Sequence, residues 1–212
     1  MTVELIWATT NGDDLVARMA RVSNPDNENN TETAPRLIRY LIRHKHWSPF
    51  EMVNACVKID APRDIIRQIL RHRSFSFQEF SGRYAEYGSP IEGRECRTVH
   101  PTNRQSSLPS SNELQTWWSR TSGDLRDALW SAYEEAIGRG VAKEVARTIL
   151  PEGFVPSTIY MNGTLRSWIH YWDVRCGPDT QKEHRLIAEA TREAILKEFP
   201  QIKEALATTV TY

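Results

Sequence analysis

Between residues 71 and 87 the chain reads RHRSFSFQEFSGRYAEY. Arg71, Arg73 and Arg83 stand there with His72, Ser74, Ser76, Ser81 and Glu79 among aromatic rings, with hardly an aliphatic residue between them. An element built only to pack carries an aliphatic stripe at a regular spacing. This one carries the chemistry of anion recognition. A guanidinium grips a phosphate or carboxylate through two parallel hydrogen bonds and stays charged at any relevant pH. Serine hydroxyls donate to phosphate oxygens, and the Glu79 carboxylate accepts from an N–H or a sugar hydroxyl. A surface turn laced with salt bridges, or an RNA-binding loop, would show a similar composition.

The whole chain narrows these alternatives. Lys+Arg and Asp+Glu number 27 each in 212 residues, so the formal net charge is zero. A nucleic-acid binder usually spreads excess basic charge over a face, so focused arginines suit a small anionic ligand better. Cys56, Cys96 and Cys176 are far apart without a CxxC pair, fitting neither a zinc site nor a disulfide framework. MTVELIWATT does not read as a signal peptide, and no apolar run approaches membrane-spanning length. The expectation is a cytoplasmic protein with no metal, no nucleic-acid partner and no membrane partner.

The elements that must position the motif follow from periodicity. VELIWAT alternates like a strand, and DDLVARMARVS follows Asn11-Gly12 as a short helix. NPDNENNTET reads as a loop. Thr33 and Pro35 then open a helix that turns Leu37, Ile38, Leu41 and Ile42 toward a core. Residues 51–59 place Val53, Ala55, Val57 and Ile59 on one face of a strand. Asp60 and Pro62 introduce a helix with Ile65, Ile66, Ile69 and Leu70 inward, so the arginine-rich motif spans a helix end and a loop. Residues 94–111 read as an irregular excursion. A long helix over 112–137, with Gly123 as its candidate break, precedes a helix at VAKEVARTIL and a short strand at TIYMNG. TLRSWIHYWDVRC is a helix closed by Gly177-Pro178, and QKEHRLIAEATREAILKEF is a late amphipathic helix. The expected class is α+β: a single domain over residues 1–212, with a mainly antiparallel sheet flanked by several helices.

No GxxxxGK[ST] and no GxGxxG after a strand is present, which sets aside a P-loop and an ordinary dinucleotide fold. His44 and His46 are two apart, unlike metal-binding helices, and His44 reads as a helix-end residue. His100 and His184 read as surface or loop residues. Trp168 and Trp172, four apart, read as packing.

RHRSFSFQEFSGRY resembles the signature RHRxxSxNExSxRY of the flavin-dependent thymidylate synthases, with Gln78 where that pattern has Asn. Three further segments are similar to that family in order: HKHWSPFE to its histidine-containing SPFE segment, ARTILP to ARxxLP, and GTLRSWIHYWDVR to NxRxxxHFxxxR. In the last, Thr164 replaces a frequent Asn. The resemblance covers most of residues 44 to 175.

The resemblance implies a homotetramer that converts dUMP to dTMP, with methylenetetrahydrofolate as one-carbon donor and NADPH as reductant through bound FAD. Active sites in the family draw on more than one subunit. By position, His46, Ser48, Arg71, His72, Arg73, Glu79, Thr164, Leu165, Arg166 and His170 resemble the FAD-binding groups. Gln68, Arg71, Glu79, Ser81, Gly82, Arg83, Arg147 and Arg175 resemble the dUMP pocket, with Arg175 as the catalytic arginine that ionises the uracil ring. The chemistry fits those roles. Uracil must become electron-rich at C5, and a fixed guanidinium stabilises that charge without surrendering a proton. On a regular helix Arg166, His170 and Asp173 share one face, while Arg175 points roughly opposite, toward the Trp168 and Trp172 side. A catalytic thiol is the rival to be tested, with Cys176 beside Arg175 its best candidate. A nucleotide- or RNA-binding protein without catalysis is the alternative, separable by the absence of a flavin absorption band.

Overall fold

The computed structural model describes residues 1–209. In chain order its elements are β1 (Thr2–Ala8), α1 (Gly12–Ala20), α2 (Ala34–Arg43), β2 (Asn54–Pro62), α3 (Arg63–Ile69), β3 (Ser76–Glu79), β4 (Arg97–Val99) and β5 (Ser107–Pro109). Then follow α4 (Asn112–Gly138), α5 (Lys143–Ala146), β6 (Pro156–Thr164), α6 (Leu165–Arg175), α7 (Lys182–Leu196) and α8 (Pro200–Thr209). Single 3-10 turns lie at Pro25–Asn27, Ser48–Met52 and Arg147–Ile149. The fold is α+β. The last three positions of the expected 1–212 unit lie outside the described residues.

Four strands form one antiparallel sheet in the order β1-β2-β6-β3. Val53, Ala55, Val57 and Ile59 alternate as expected and are wholly buried. Across β6 they meet Ile159 and Met161, also wholly buried. The helices α2, α3, α6, α7 and α8 add Ile38, Ile66, Trp168, Ile187 and Ile202 to the same core. The opposite sheet face keeps Lys58 and Tyr160 toward solvent, as the two-residue period requires.

Tertiary contacts overrule local pattern in several places. The motif holds a strand, β3, because Ser76 to Glu79 pair with Asn162 to Ile159 at the sheet edge. TIYMNG is the middle of a nine-residue strand whose remaining residues gain their ladder from β2. The excursion at 94–111 contains the two-stranded ribbon β4-β5. Helix α4 runs through Gly123 unbroken for 27 residues, about 40 Å. Nothing lies within 4 Å of the place where a Gly123 Cβ would be. VAKEVARTIL yields only the short α5 and a 3-10 turn before Pro151. α8 had no sequence expectation. Its first turn is capped by the buried Asp13 carboxylate, which accepts from Gln201 N at 2.9 Å and Ile202 N at 3.2 Å.

Two indole N–H groups in the core find partners. Trp168 Nε1 donates to Ala55 O at 3.1 Å, and Trp172 Nε1 donates to Thr191 Oγ1 at 3.1 Å. Both rings are core residues, as their spacing indicates. A smaller cluster of Tyr87, Trp130, Tyr133, Ala146, Leu150 and Val155 anchors α4 and α5 beside the motif loop.

Candidate active site

Helix α6 divides the candidate residues. Its start is fixed by Thr164, whose Oγ1 accepts from Ser167 N at 3.2 Å, the hydrogen bond a helix N-cap supplies. Ser167 Oγ in turn donates to Ser74 O at 3.2 Å and ties the helix to the arginine motif. Beyond the cap a cleft of about 570 Å3 opens, lined among others by Trp47, Ser74, Thr164, Arg166, His170 and Asp173. The face expected for Arg166, His170 and Asp173 is therefore real. Arg166 pairs with Glu51 across this cleft. Leu165 is wholly buried and its N–H donates to Val53 O at 2.8 Å, so it presents no side-chain group there.

Arg175 leaves the other side of α6. Its Nε donates to His72 Nε2 at 2.9 Å. An accepting Nε2 belongs to a neutral imidazole protonated at Nδ1. Burial first, then the charges of Arg175 and His170, lower the His72 pKa to about 4, so that neutral form holds at neutral pH. The His72 ring meets Tyr171 edge-on at 4.9 Å between centroids. Behind it lies His184, wholly buried rather than on the surface or in a loop. Its Nε2 is 3.0 Å from Tyr171 Oη, and its Nδ1 is 3.2 Å from Gln68 Oε1. Burial again, with Arg175 and His72, lowers the His184 pKa to about 3.

A third group surrounds Glu79. Ser157 Oγ donates to Glu79 Oε1 at 3.3 Å, and Arg63 Nε lies 3.8 Å from the same oxygen. Arg63 also donates to Tyr87 Oη at 3.1 Å. Tyr87 packs so closely over Gly82 that any Cβ there would enter its hydroxyl and ring. Ser81 is half-buried at the head of the turn that holds Arg83, and Arg83 stacks over the Tyr84 ring at 4.6 Å.

Apart from Arg63 and Arg166, the arginines of the candidate groups share one feature. Among the described residues, no carboxylate lies within ion-pair distance of Arg71, Arg73, Arg83, Arg147 or Arg175. Arg67, Arg94 and Arg97 find acidic partners, whereas Arg36, Arg43, Arg104 and Arg192 also have no carboxylate within ion-pair distance among the described residues. The motif's ion pairs are made by its carboxylates, Glu79 with Arg63 and Glu86 with Lys143, and not by its arginines. Arg71 and Arg73 are exposed, as are His46 and Ser48, which flank Trp47 at the cleft wall. No group of three or more His, Cys, Asp or Glu arranged to hold a metal occurs among the described residues.

A family model described as thymidylate synthase complementing protein matches residues 4–201. The chain is 47% identical over 193 residues to a flavin-dependent thymidylate synthase of Synechocystis, covering 91% of this chain and 88% of that protein. It is 44% identical over 207 residues to a probable flavin-dependent thymidylate synthase of Paramecium bursaria Chlorella virus 1, covering 97% and 95%. This chain belongs to the flavin-dependent thymidylate synthase family. A solved UMP/dUMP methylase from Streptomyces cacaoi, bound with 5-Br dUMP, has the same fold at a TM-score of 0.84. It is 30% identical, and the match covers 98% of this chain and 94% of that one.

In this flavin-dependent thymidylate synthase chain the candidate residues also touch residues that no motif announced. Tyr171, His184 and Gln181 buttress Gln68 and the Arg175–His72 pair, while Arg63 and Tyr87 brace Glu79 and Gly82. A signal for His184 did exist. It lies three and four residues before Ile187 and Ala188, and seven before Thr191, on the buried stripe of α7. Arg63 had none, since an arginine after a strand-ending proline is ordinary surface composition.

Proposed function

We propose that the chain, as one catalytic unit over residues 1–212, methylates dUMP to dTMP with FAD as cofactor, methylenetetrahydrofolate as one-carbon donor and NADPH as reductant. The observation that carries this reading is Arg175, which no carboxylate pairs and a neutral histidine holds. A guanidinium paired to a carboxylate would have its charge largely spent. Arg175 has no carboxylate beside it to offset its field, and its terminal nitrogens have no protein acceptor among the described residues. Near a uracil ring that charge stabilises the anion that makes C5 nucleophilic. Arg71, Arg83 and Arg147 are suited to the nucleotide phosphate, and Gln68, Ser81 and Glu79 to the base and sugar.

The residues of the Thr164 cleft fit a flavin. Trp47 and Ile169 offer an apolar wall, and Thr164, Arg166, Ser167 and His170 offer donors for a ring edge or pyrophosphate. His46, Ser48, Arg71, His72 and Arg73 complete the proposed FAD contacts. When bound, FAD supplies the hydride chemistry that no side chain can perform.

The opposed faces of α6 support a site assembled between subunits, and we read the protein as a homotetramer. Exposed Trp117, Trp118 and Leu125 on α4 offer apolar surface for that association. Its setting is taken as cytoplasmic, in keeping with three unpaired cysteines. The non-catalytic nucleotide- or RNA-binding alternative is not favoured by the relatives.

An anaerobic assay for dTMP with dUMP, methylenetetrahydrofolate and NADPH, omitting each in turn, tests the reading. Formation only in the complete mixture, by a yellow protein, is the expected result. A colourless protein that binds RNA in a salt-sensitive manner would sink it.

A further inference from the structure

Buried and half-buried groups behind the proposed nucleotide site form one hydrogen-bonded chain, and donors and acceptors can be placed along it in only one way. It begins at Glu183, held by Arg97 at 2.7 Å. A carboxylate only accepts, so Gln181 Nε2 donates to it, at 2.9 Å. Gln181 therefore turns its oxygen the other way, and Gln68 Nε2 donates to that oxygen at 2.7 Å. The Gln68 oxygen then faces His184 Nδ1 at 3.2 Å, so this nitrogen carries the proton. His184 Nε2 accepts in turn, and the Tyr171 hydroxyl donates to it. Flipping the Gln68 amide would set donor against donor at His184 and acceptor against acceptor at Gln181. Every link must reverse together, and the ionised Glu183 forbids it.

Two members of this chain, its middle link Gln68 and its end Tyr171, bear on the proposed nucleotide site. Gln68 has one N–H left over after serving Gln181. Tyr171 backs the His72 ring that receives Arg175. We propose that His184 is a positioning residue for dUMP: by locking the Gln68 amide and the Tyr171–His72 wall, it presents Gln68 as a fixed donor and Arg175 as a fixed cation to the substrate. The inference rests on the functional reading above, in which Gln68 and Arg175 face the nucleotide.

Two exchanges at one position separate orientation from mere filling of space. In His184→Asn the amide nitrogen can occupy the place of Nδ1 and still donate to Gln68, whereas His184→Leu keeps bulk and removes the donor. KM for dUMP should rise about 10-fold in His184→Leu, and by no more than about 3-fold in His184→Asn, with FAD content equal in both. Equal KM values in the two variants would overturn the inference. Gln181→Leu cuts the chain in a half-buried side chain outside the core, so it guards against a misfolded His184→Leu. It too should raise KM about 10-fold, and an unchanged KM there would overturn the inference. If the unsubstituted protein neither bound nor methylated dUMP, the functional reading itself would fall, and this inference with it.

Discussion

Arg175 Nε donates to His72 Nε2 at 2.9 Å, so the cation at the pocket is held by a neutral ring and not by a carboxylate. Orientation is gained without neutralisation. A carboxylate in place of His72 would hold the side chain as firmly, but would cancel much of the field that the role proposed for Arg175 requires.

Arg175→Ala should leave FAD content and thermal unfolding close to normal, because the residue closes α6 at a half-buried position outside the core. Its rate of dTMP formation should fall on the order of 100- to 1000-fold, the usual cost of one preorganised charge contact. Turnover near the unsubstituted level would remove Arg175 from the chemistry.

Gly82 and Gly88 offer a matched pair. A Cβ at Gly82 would enter the Tyr87 hydroxyl and ring, whereas at Gly88 it would meet nothing within 4 Å. Tyr87 cannot yield freely: it is buried against Trp130 and Tyr133 and receives a hydrogen bond from Arg63. Gly82→Ala should therefore cost about 1–3 kcal/mol by denaturant unfolding and raise KM for dUMP through the displaced Arg63–Glu79 contact. Gly88→Ala should change neither. Equal stability of the two variants would show that Tyr87 moves aside without cost.

Two imidazoles, the buried His184 and the half-buried His72, predict how stability depends on pH. His184 and His72 have pKa values near 3 and 4, both below the unfolded value of about 6.5. Above about pH 6.5 neither state takes up a proton and the histidines contribute no pH dependence. Below it the unfolded chain binds protons that the native pocket refuses, so stability falls until the native pKa values are reached. At about pH 5 His184 alone should remove about 2 kcal/mol, with a smaller share from the less buried His72. Melting temperatures at about pH 7.5 and pH 5 measure this loss. His184→Asn, which cannot titrate, should flatten the curve, and an unaltered slope in that variant would mean that native His184 is charged.

Much of this arrangement was legible in the sequence, and the remainder failed for identifiable reasons. Alternation at Val53, Ala55, Val57 and Ile59 gave the central strand because those residues face one core. The i, i+4, i+7 spacing of Arg166, His170 and Asp173 gave the cleft face because α6 is regular. β3 was hidden, since SFQE has no apolar alternation of its own and pairs only because β6 is there to receive it. α8 was hidden because its cap, Asp13, lies 188 residues away along the chain. His184 escaped because a polar residue on a buried stripe looks like the edge of that stripe until its hydrogen-bond partners are known.

No cysteine of this chain is placed to act as a nucleophile on uracil. A thiol mechanism would attack uracil at C6 with a thiolate, which needs a pKa lowered by a cation, a base or a helix N-terminus. Cys176 follows Arg175, yet that guanidinium turns to His72. The thiol sits at the C-terminal end of α6, where the helix dipole opposes a negative charge. Burial, ahead of opposing help from Arg192, pushes its pKa above the ordinary thiol value. Cys56 is buried on β2 and its pKa is raised by burial as well. Cys96 lies beside the ribbon, its N–H donating to Gln115 Oε1 at 2.6 Å, on the segment that leads into β4. A variant with Cys56→Ala, Cys96→Ser and Cys176→Ala should therefore form dTMP at a rate within a few-fold of the unsubstituted protein. Its main cost should be a loss of about 1 kcal/mol in stability from the space left at Cys56. The decisive control is Cys176→Ala alone. Abolished turnover in that variant, with FAD still bound, would replace the arginine-centred mechanism by a thiol-centred one.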